Sequence, residues 1–240
     1  ASDRNLKLTR FFLKDVNLLL LSSLLKKDFD KVKTYKQIKF LPNGVEDPML
    51  DVNVGEYLKE KYDNISTVEA LYLAHMMKEK GYWEVLELAR DTKGQNIRYH
   101  FAGSWKDEMS KNEFFAFVEE YGLENQVVYH GFVSGKQKSQ LFKKAHLLLY
   151  PSKNDAFPLT LLESLSYCVS VIATNEGSIP YILDEQSGII LNDVNKLKEA
   201  LEQARKQLLN KETAMYCRQR YLDNFSLEQF EDNLVNNLKA

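Results

Sequence analysis

Asp155 and Glu163 flank the start of one helix-like stretch, in Asn154-Asp155-Ala156-Phe157-Pro158-Leu159-Thr160-Leu161-Leu162-Glu163-Ser164-Leu165. A carboxylate in the loop before a helix accepts hydrogen bonds from ligand hydroxyls. One placed a turn into the helix can accept from both hydroxyls of a diol. The helix N-terminus around Phe157–Leu159 adds free N–H groups and the positive end of a dipole, which suits a diphosphate. As an isolated pair, the same residues are better read as a helix cap and a solvated or salt-bridged side chain. The surrounding pattern is what gives them meaning.

His146-Leu147-Leu148-Leu149-Tyr150 before this stretch and Val169-Ser170-Val171-Ile172-Ala173-Thr174 after it read as buried strands. Further strand patterns fall at Val68–Ala74, Ile97–Ala102, Val127–His130 and Gly188–Leu191. Helical patterns at Tyr82–Arg90, Lys111–Tyr121, Lys136–Lys144, Pro158–Ser166 and, more briefly, Ile179–Leu183 lie between them. This alternation predicts an α/β fold: a doubly wound, Rossmann-like parallel sheet with helices on both faces. Right-handed crossovers bring every strand's carboxyl end to one rim, where open α/β sheets bind ligands.

Other residues reach that same rim. Lys80 lies in Lys78-Glu79-Lys80-Gly81 after the first strand of the sheet, where a lysine can neutralise phosphate. Gly103 ends the next strand in a small-residue turn that lets backbone approach a ligand. Gly131 and Phe132 follow His130, offering a flexible backbone beside an aromatic seat for a planar base. Asn175-Glu176-Gly177-Ser178 closes the fifth strand. Each feature alone also reads as an ordinary turn; their register along one sheet is the signal.

The flanks differ. Residues 1–48 show a buried strand at Val16–Ser22, a helix at Leu24–Val32 and another strand at Ile38–Leu41. A single βαβ unit has nothing to bury its sheet against. It reads as the tail of an earlier domain, with Pro42–Tyr62 as a linker punctuated by proline and glycine. Residues 49–223 hold the sheet domain. Three helices close the chain, Asp193–Leu209, Lys211–Asp223 and Ser226–Leu238, with Asp193 and Ser226 as N-caps; residues 224–240 are expected to pack back towards the N-terminal side.

A net charge of −2 over 240 residues argues against a nucleic-acid binder. Cys168 and Cys217 are too few for a disulfide framework, and the four histidines lack metal-ligand spacing, so no metal site is expected. Reduced thiols fit a cytoplasmic location. No Gly-x-x-x-x-Gly-Lys-Ser/Thr phosphate loop and no Gly-x-Ser-x-Gly nucleophile turn occurs.

Together these segments resemble the retaining glycosyltransferases of the GT-B fold, family 4 type (glycosyl transferases group 1). Leu41-Pro42-Asn43-Gly44-Val45 resembles the interdomain linker, Glu79-Lys80-Gly81 the turn after the first donor-domain strand, and Asp155 to Leu165 the strongest motif, two acidic residues separated by seven others. Asn175 to Pro180 and Ser187 to Leu191 match the segments that follow. The resemblance implies that Glu163 holds the ribose diol of a nucleotide diphosphate sugar and that Asp155 sits by the donor sugar. Lys80 and the amides near Phe157–Leu159 would meet the diphosphate, with His75, Gly103, Gly131, Phe132 and Pro158 completing the donor site. Asp155 and Lys80 are the expected catalytic pair, with no cofactor or metal required.

It also implies sugar transfer with retention to a glycan or lipid-linked acceptor in bacterial surface polysaccharide biosynthesis. The acceptor would be held by an N-terminal domain of which only the last piece is present, and the full-length protein would associate peripherally with the inner face of the membrane. Three departures stand out. His75 occupies the place of an arginine, Asp155 that of a commoner glutamate, and Pro158 that of a frequent glycine, with loss of one N–H donor. A non-catalytic GT-B subunit that completes a partner's active site is the alternative expectation, and an epimerase of the same fold a third.

Overall fold

The computed structural model describes residues 3–239. Six parallel strands form the main sheet: β3 (Val68–Leu73), β4 (Ile97–Ala102), β5 (Val127–Tyr129), β6 (Leu147–Tyr150), β7 (Ser170–Thr174) and β8 (Gly188–Leu191). Their spatial order is β5-β4-β3-β6-β7-β8. The order reverses between β3 and β6, which creates the topological switch point of a doubly wound fold.

Alternation along each strand divides the core. Tyr72, Phe101, Leu149 and Ile172 face one layer, made by α3 (Tyr82–Asp91), α4 (Glu108–Glu120) and α8 (Leu197–Gln207). Leu71, Ala102, Leu148 and Val171 face the other, made by α5 (Gly135–Lys144), α6 (Leu159–Ser166) and α9 (Lys211–Asn224). The period of two carries alternate side chains to opposite faces, and both faces are buried, so these strands read as continuous apolar runs. The short α7 (Ile179–Ile182) closes the loop after β7.

The N-terminal segment pairs β1 (Asn17–Leu20) in parallel with β2 (Gln37–Phe40), as a separate two-stranded sheet. Four differences from the sequence reading occur outside the main sheet. The connection expected as a helix at Leu24–Val32 is a 3₁₀ segment, Ser23–Phe29, with no buried residue. The strand expected to be buried has only Leu20 inside; one layer of covering structure is not enough to enclose it. A further helix, α1 (Asp3–Phe12), precedes it. The expected linker 42–62 contains α2 (Val54–Tyr62), capped by the Asn53 side chain and buried through Leu58 and Tyr62.

The C-terminal helices tie the two parts together. Arg218 of α9, itself 7% exposed, bonds the carboxylate of Asp47 and the carbonyl of Ser166. α10 (Leu227–Lys239) buries none of its residues fully, but its Asn237 exchanges hydrogen bonds with Lys39 and Phe40 of β2. Ser226 caps α10 as expected, accepting from the Gln229 amide at 3.2 Å. At the other edge, Ser22 and Ser178 share a buried hydroxyl–hydroxyl bond of 2.7 Å. No described helix is long and apolar enough to cross a membrane.

Candidate donor site at the strand carboxyl ends

The rim loops interlock before any ligand is considered. Gly103 donates its N–H to the Gly131 carbonyl at 2.8 Å, and its carbonyl accepts from the Tyr129 hydroxyl at 2.8 Å. With φ of +153°, a Cβ at Gly103 would stand 1.8 Å from the Ala74 carbonyl oxygen. Gly177 plays the same part between the β7 and β6 loops, with φ of +51° and a virtual Cβ 2.1 Å from the Asp155 carbonyl oxygen. Glycine is required at both places because backbone approaches backbone there.

Across the switch point, the β3 and β6 loops are joined by polar contacts. Lys80 ends a 3₁₀ turn, Lys78–Lys80, and its Nζ reaches the Asn154 carbonyl at 2.8 Å and Asp155 Oδ2 at 2.7 Å. Tyr150, the last residue of β6, donates its hydroxyl to the same Oδ2 at 2.6 Å. Burial, and then the neighbouring Asp155 carboxylate, raise the Tyr150 phenol, so this group stays a proton donor. Both donors converge on Oδ2, and among the described residues Oδ1 accepts no hydrogen bond. One oxygen anchors the side chain and the other is available.

Glu163 repeats this arrangement a turn into α6. Its Oε1 takes Lys138 Nζ at 2.5 Å, and Oε2 has no partner among the described residues. Both residues are partly buried. Lys138 enters from the first turn of α5, which begins at Gly135 just after the β5 rim loop.

α6 begins at Leu159 with Pro158 as its N-cap residue, so the N–H groups of Leu159 and Thr160 have no intrahelical acceptor. The Phe157 side chain lies in the core at 6% exposure, which leaves its backbone alone for a ligand. Pro158, also buried, has no N–H to give, whereas Leu159 is exposed.

A small cavity of about 150 Å³ sits beside the β3, β4 and β5 ends. His75, Gly103, Phe132 and Val133 line it, and Phe132 is 70% exposed. His75 is exposed as well. The Gly103 N–H is already used by Gly131, so Gly103 shapes this cavity rather than donating into it.

The structure thus brings Lys80, Asp155 and the start of α6 together, places Glu163 on the same rim, and gathers His75, Gly103 and Phe132 into a neighbouring hollow. Gly131, at φ of +72°, borders that hollow through its bond to Gly103. Sequence reasoning missed Tyr150 and Lys138. Tyr150 was legible as the last residue of a strand pointing at the rim, and Lys138 as a cation in the first turn after another.

The switch-point parallel sheet with helices on both faces is the architecture of the GT-B fold. The chain belongs to the glycosyl transferases group 1 family, which it matches over residues 59–221. It is 29% identical over 153 residues to an uncharacterized 41.2 kDa protein of the cps region of Klebsiella pneumoniae, covering 62% of this chain and 38% of that one. It thus spans well under half the length of that curated relative.

Among solved structures it superposes on a glycosyltransferase from Rickettsia africae with a TM-score of 0.81 at 19% identity, covering 100% of this chain and 66% of that one. It also superposes on HepE from Anabaena, solved with UDP and glucose, with a TM-score of 0.78 at 13% identity, covering 100% and 68%. At these identities the superpositions establish the fold.

Proposed function

We propose that this chain is the donor-binding part of a glycosyltransferase. It would move a sugar from a nucleotide diphosphate sugar to a glycan or lipid-linked acceptor with retention of configuration, in surface polysaccharide biosynthesis. One observation carries the reading: Lys80 and Asp155 meet across the switch point beside the open N-terminus of α6, with the free oxygen of Glu163 on the same rim.

Breaking the sugar–phosphate bond builds negative charge on the diphosphate and positive character on the sugar. Lys80 and the N–H groups of Leu159 and Thr160 are fixed donors for the first. Asp155, oriented by Tyr150 and Lys80, sets a negative oxygen where the second develops. Glu163 Oε2 is the acceptor for a ribose hydroxyl. The reading calls for no metal. HepE, solved with UDP and glucose, supports a nucleotide-sugar ligand for this architecture. In this scheme residues 1–48 end an acceptor domain, 49–223 bind the donor, and 224–240 return towards the acceptor side.

The test is calorimetry with uridine and guanosine diphosphates. Saturable binding of one of them, weakened in Glu163→Ala, is the expected result; binding of neither, or an unaltered constant in the variant, refutes the proposal. An exposed histidine at 75, where the family resemblance expects arginine, favours the second reading of a non-catalytic subunit. Transfer by the full-length protein that survives joint replacement of Asp155 and Lys80 by alanine would select it.

A further inference from the structure

A larger cavity opens at the other edge of the sheet, where the strands begin. It is an open hollow of about 540 Å³, within the roughly 300–1,000 Å³ typical of small-molecule sites. The donor-rim residues do not contribute to it.

Its charge is unbalanced. Lys61, Arg98, Lys143 and Lys144 line it, against the carboxylates of Glu60 and Glu69. Arg98 and Lys144 share a single oxygen of Glu69, at 3.7 and 3.3 Å, while the other oxygen is committed to His100 at 2.6 Å. Lys61 has no carboxylate within 4 Å among the described residues; its Nζ donates to the Tyr57 hydroxyl at 2.7 Å and lies over the Tyr57 and Tyr62 rings. His146 adds no positive charge in its observed bonding, because Nδ1 accepts the Glu69 amide at 3.0 Å and Nε2 faces the Lys61 carbonyl at 3.2 Å.

A guanidinium fork and ammonium groups around one space match the oxygens of a phosphate. The rest of the wall has a different character. Asn64, Ser66 and Thr67 supply amide and hydroxyl groups, and the Tyr57 ring supplies an apolar surface. Phosphate alone would fill a fraction of this volume.

We propose that the cavity binds a phosphorylated, hydroxyl-rich small molecule, with Lys61, Arg98 and Lys144 on the phosphate and Asn64, Ser66 and Thr67 on its hydroxyls. The site is independent of the donor reading and stands or falls separately from it.

Burial lowers the Lys61 amine to about 7, so near neutral pH it is only partly charged. The groups around it are Tyr57, Glu60 and Tyr62 on its own helix, Glu69 of β3, Arg98 of β4, Lys143 and Lys144 of α5, His146 before β6, and the Cys168 and Cys217 thiols. A bound anion favours the ammonium, so binding at pH 7.5 takes up a proton.

Calorimetric titration of the chain with glucose 6-phosphate, glycerol 3-phosphate and inorganic phosphate, in two buffers of different ionisation enthalpy, tests this. The expected result is saturable binding of a phosphate ester with proton uptake, tighter than inorganic phosphate. It should weaken about tenfold or more in Lys61→Met and in Arg98→Gln, the loss of one charge-assisted contact, and persist in Glu163→Ala. Arg98 is partly exposed, so its variant reports even where Lys61→Met fails to fold. The proposal is overturned if none of the three phosphates binds, or if both cavity variants bind like the parent chain. It is equally overturned by loss of binding in Glu163→Ala, by inorganic phosphate binding as tightly as the esters, or by capture on phosphatidylserine vesicles in place of small-molecule binding.

Discussion

Lys80 Nζ stands 2.7 Å from Asp155 Oδ2 and 2.8 Å from the Asn154 carbonyl, so one ammonium links the loops on the two sides of the switch point. In the proposed function this pair would meet the opposite demands of a nucleotide diphosphate sugar, anionic at the phosphates and electron-poor at the anomeric carbon.

Replacing Lys80 by methionine keeps the stem and removes the charge. Affinity for the nucleoside diphosphate should fall about 10- to 100-fold, the worth of one charge-assisted contact. Affinity for the unphosphorylated nucleoside should change little. Titrating both ligands against both proteins checks this; equal losses for the two would place Lys80 away from the phosphates.

Glu163 makes a different prediction because its free oxygen is assigned to the ribose. The parent chain should prefer the ribonucleoside diphosphate over its 2′-deoxy analogue, and Glu163→Ala should erase that preference while weakening the ribose form about tenfold. The fold should scarcely notice. The lost partner is a partly exposed Lys138, and such pairs contribute about 1 kcal/mol or less. Competition titration gives the preference and thermal melting the stability.

The contrast between what was legible in the sequence and what was not follows from range. The six strands of the main sheet and the helices between them announced themselves through periodicity within each segment, and the rim then followed from parallel topology. Lys80, Asp155 and Glu163 were visible because each lies in a loop or first turns tied to a strand end. Which partner each would take was not, since Lys138 meets Glu163 and Tyr150 meets Asp155 only after chain folding. α2 was hidden by Gly55 within its first turn, and its burial against α9 outweighs that local penalty. The basal cavity gathers residues from α2, β3, β4 and α5, with no local motif at all.

The interlocked glycines give a stability prediction. Alanine at 103 would put a methyl 1.8 Å from the Ala74 carbonyl oxygen, and alanine at 177 would put one 2.1 Å from the Asp155 carbonyl oxygen. Backbone must move in both, at a cost of about 1–3 kcal/mol or more. Melting temperatures should drop by several degrees, roughly 2–4 °C for each kcal/mol in a chain of this size. Gly177→Ala should also weaken nucleotide binding, because the displaced segment carries Asp155; Gly94→Ala, with nothing within 4 Å, should not share this second effect.

His146 supplies a pH prediction whose sign is set by geometry. Its Nδ1 accepts the Glu69 amide, so a proton there would face another N–H. Burial, and then the charge on Lys61, hold this imidazole below its ordinary value. A group whose folded value is depressed binds its proton more readily when unfolded, so stability is lost as pH falls from about 6.5 through the folded value. The Glu69 carboxyl is raised by burial, but His100 and Lys144 more than offset this and hold it below the ordinary carboxylate range; its contribution is lost only in more acidic solution. Melting followed from pH 6.5 to 5, below the Lys61 amine at about 7, should therefore report the two histidines that burial depresses, His146 and His130, and show a falling midpoint. His146→Asn offers a side-chain oxygen to the same amide without a titrating ring. Its midpoint should fall less steeply over that interval, and a slope equal to that of the parent chain would remove His146 from the account.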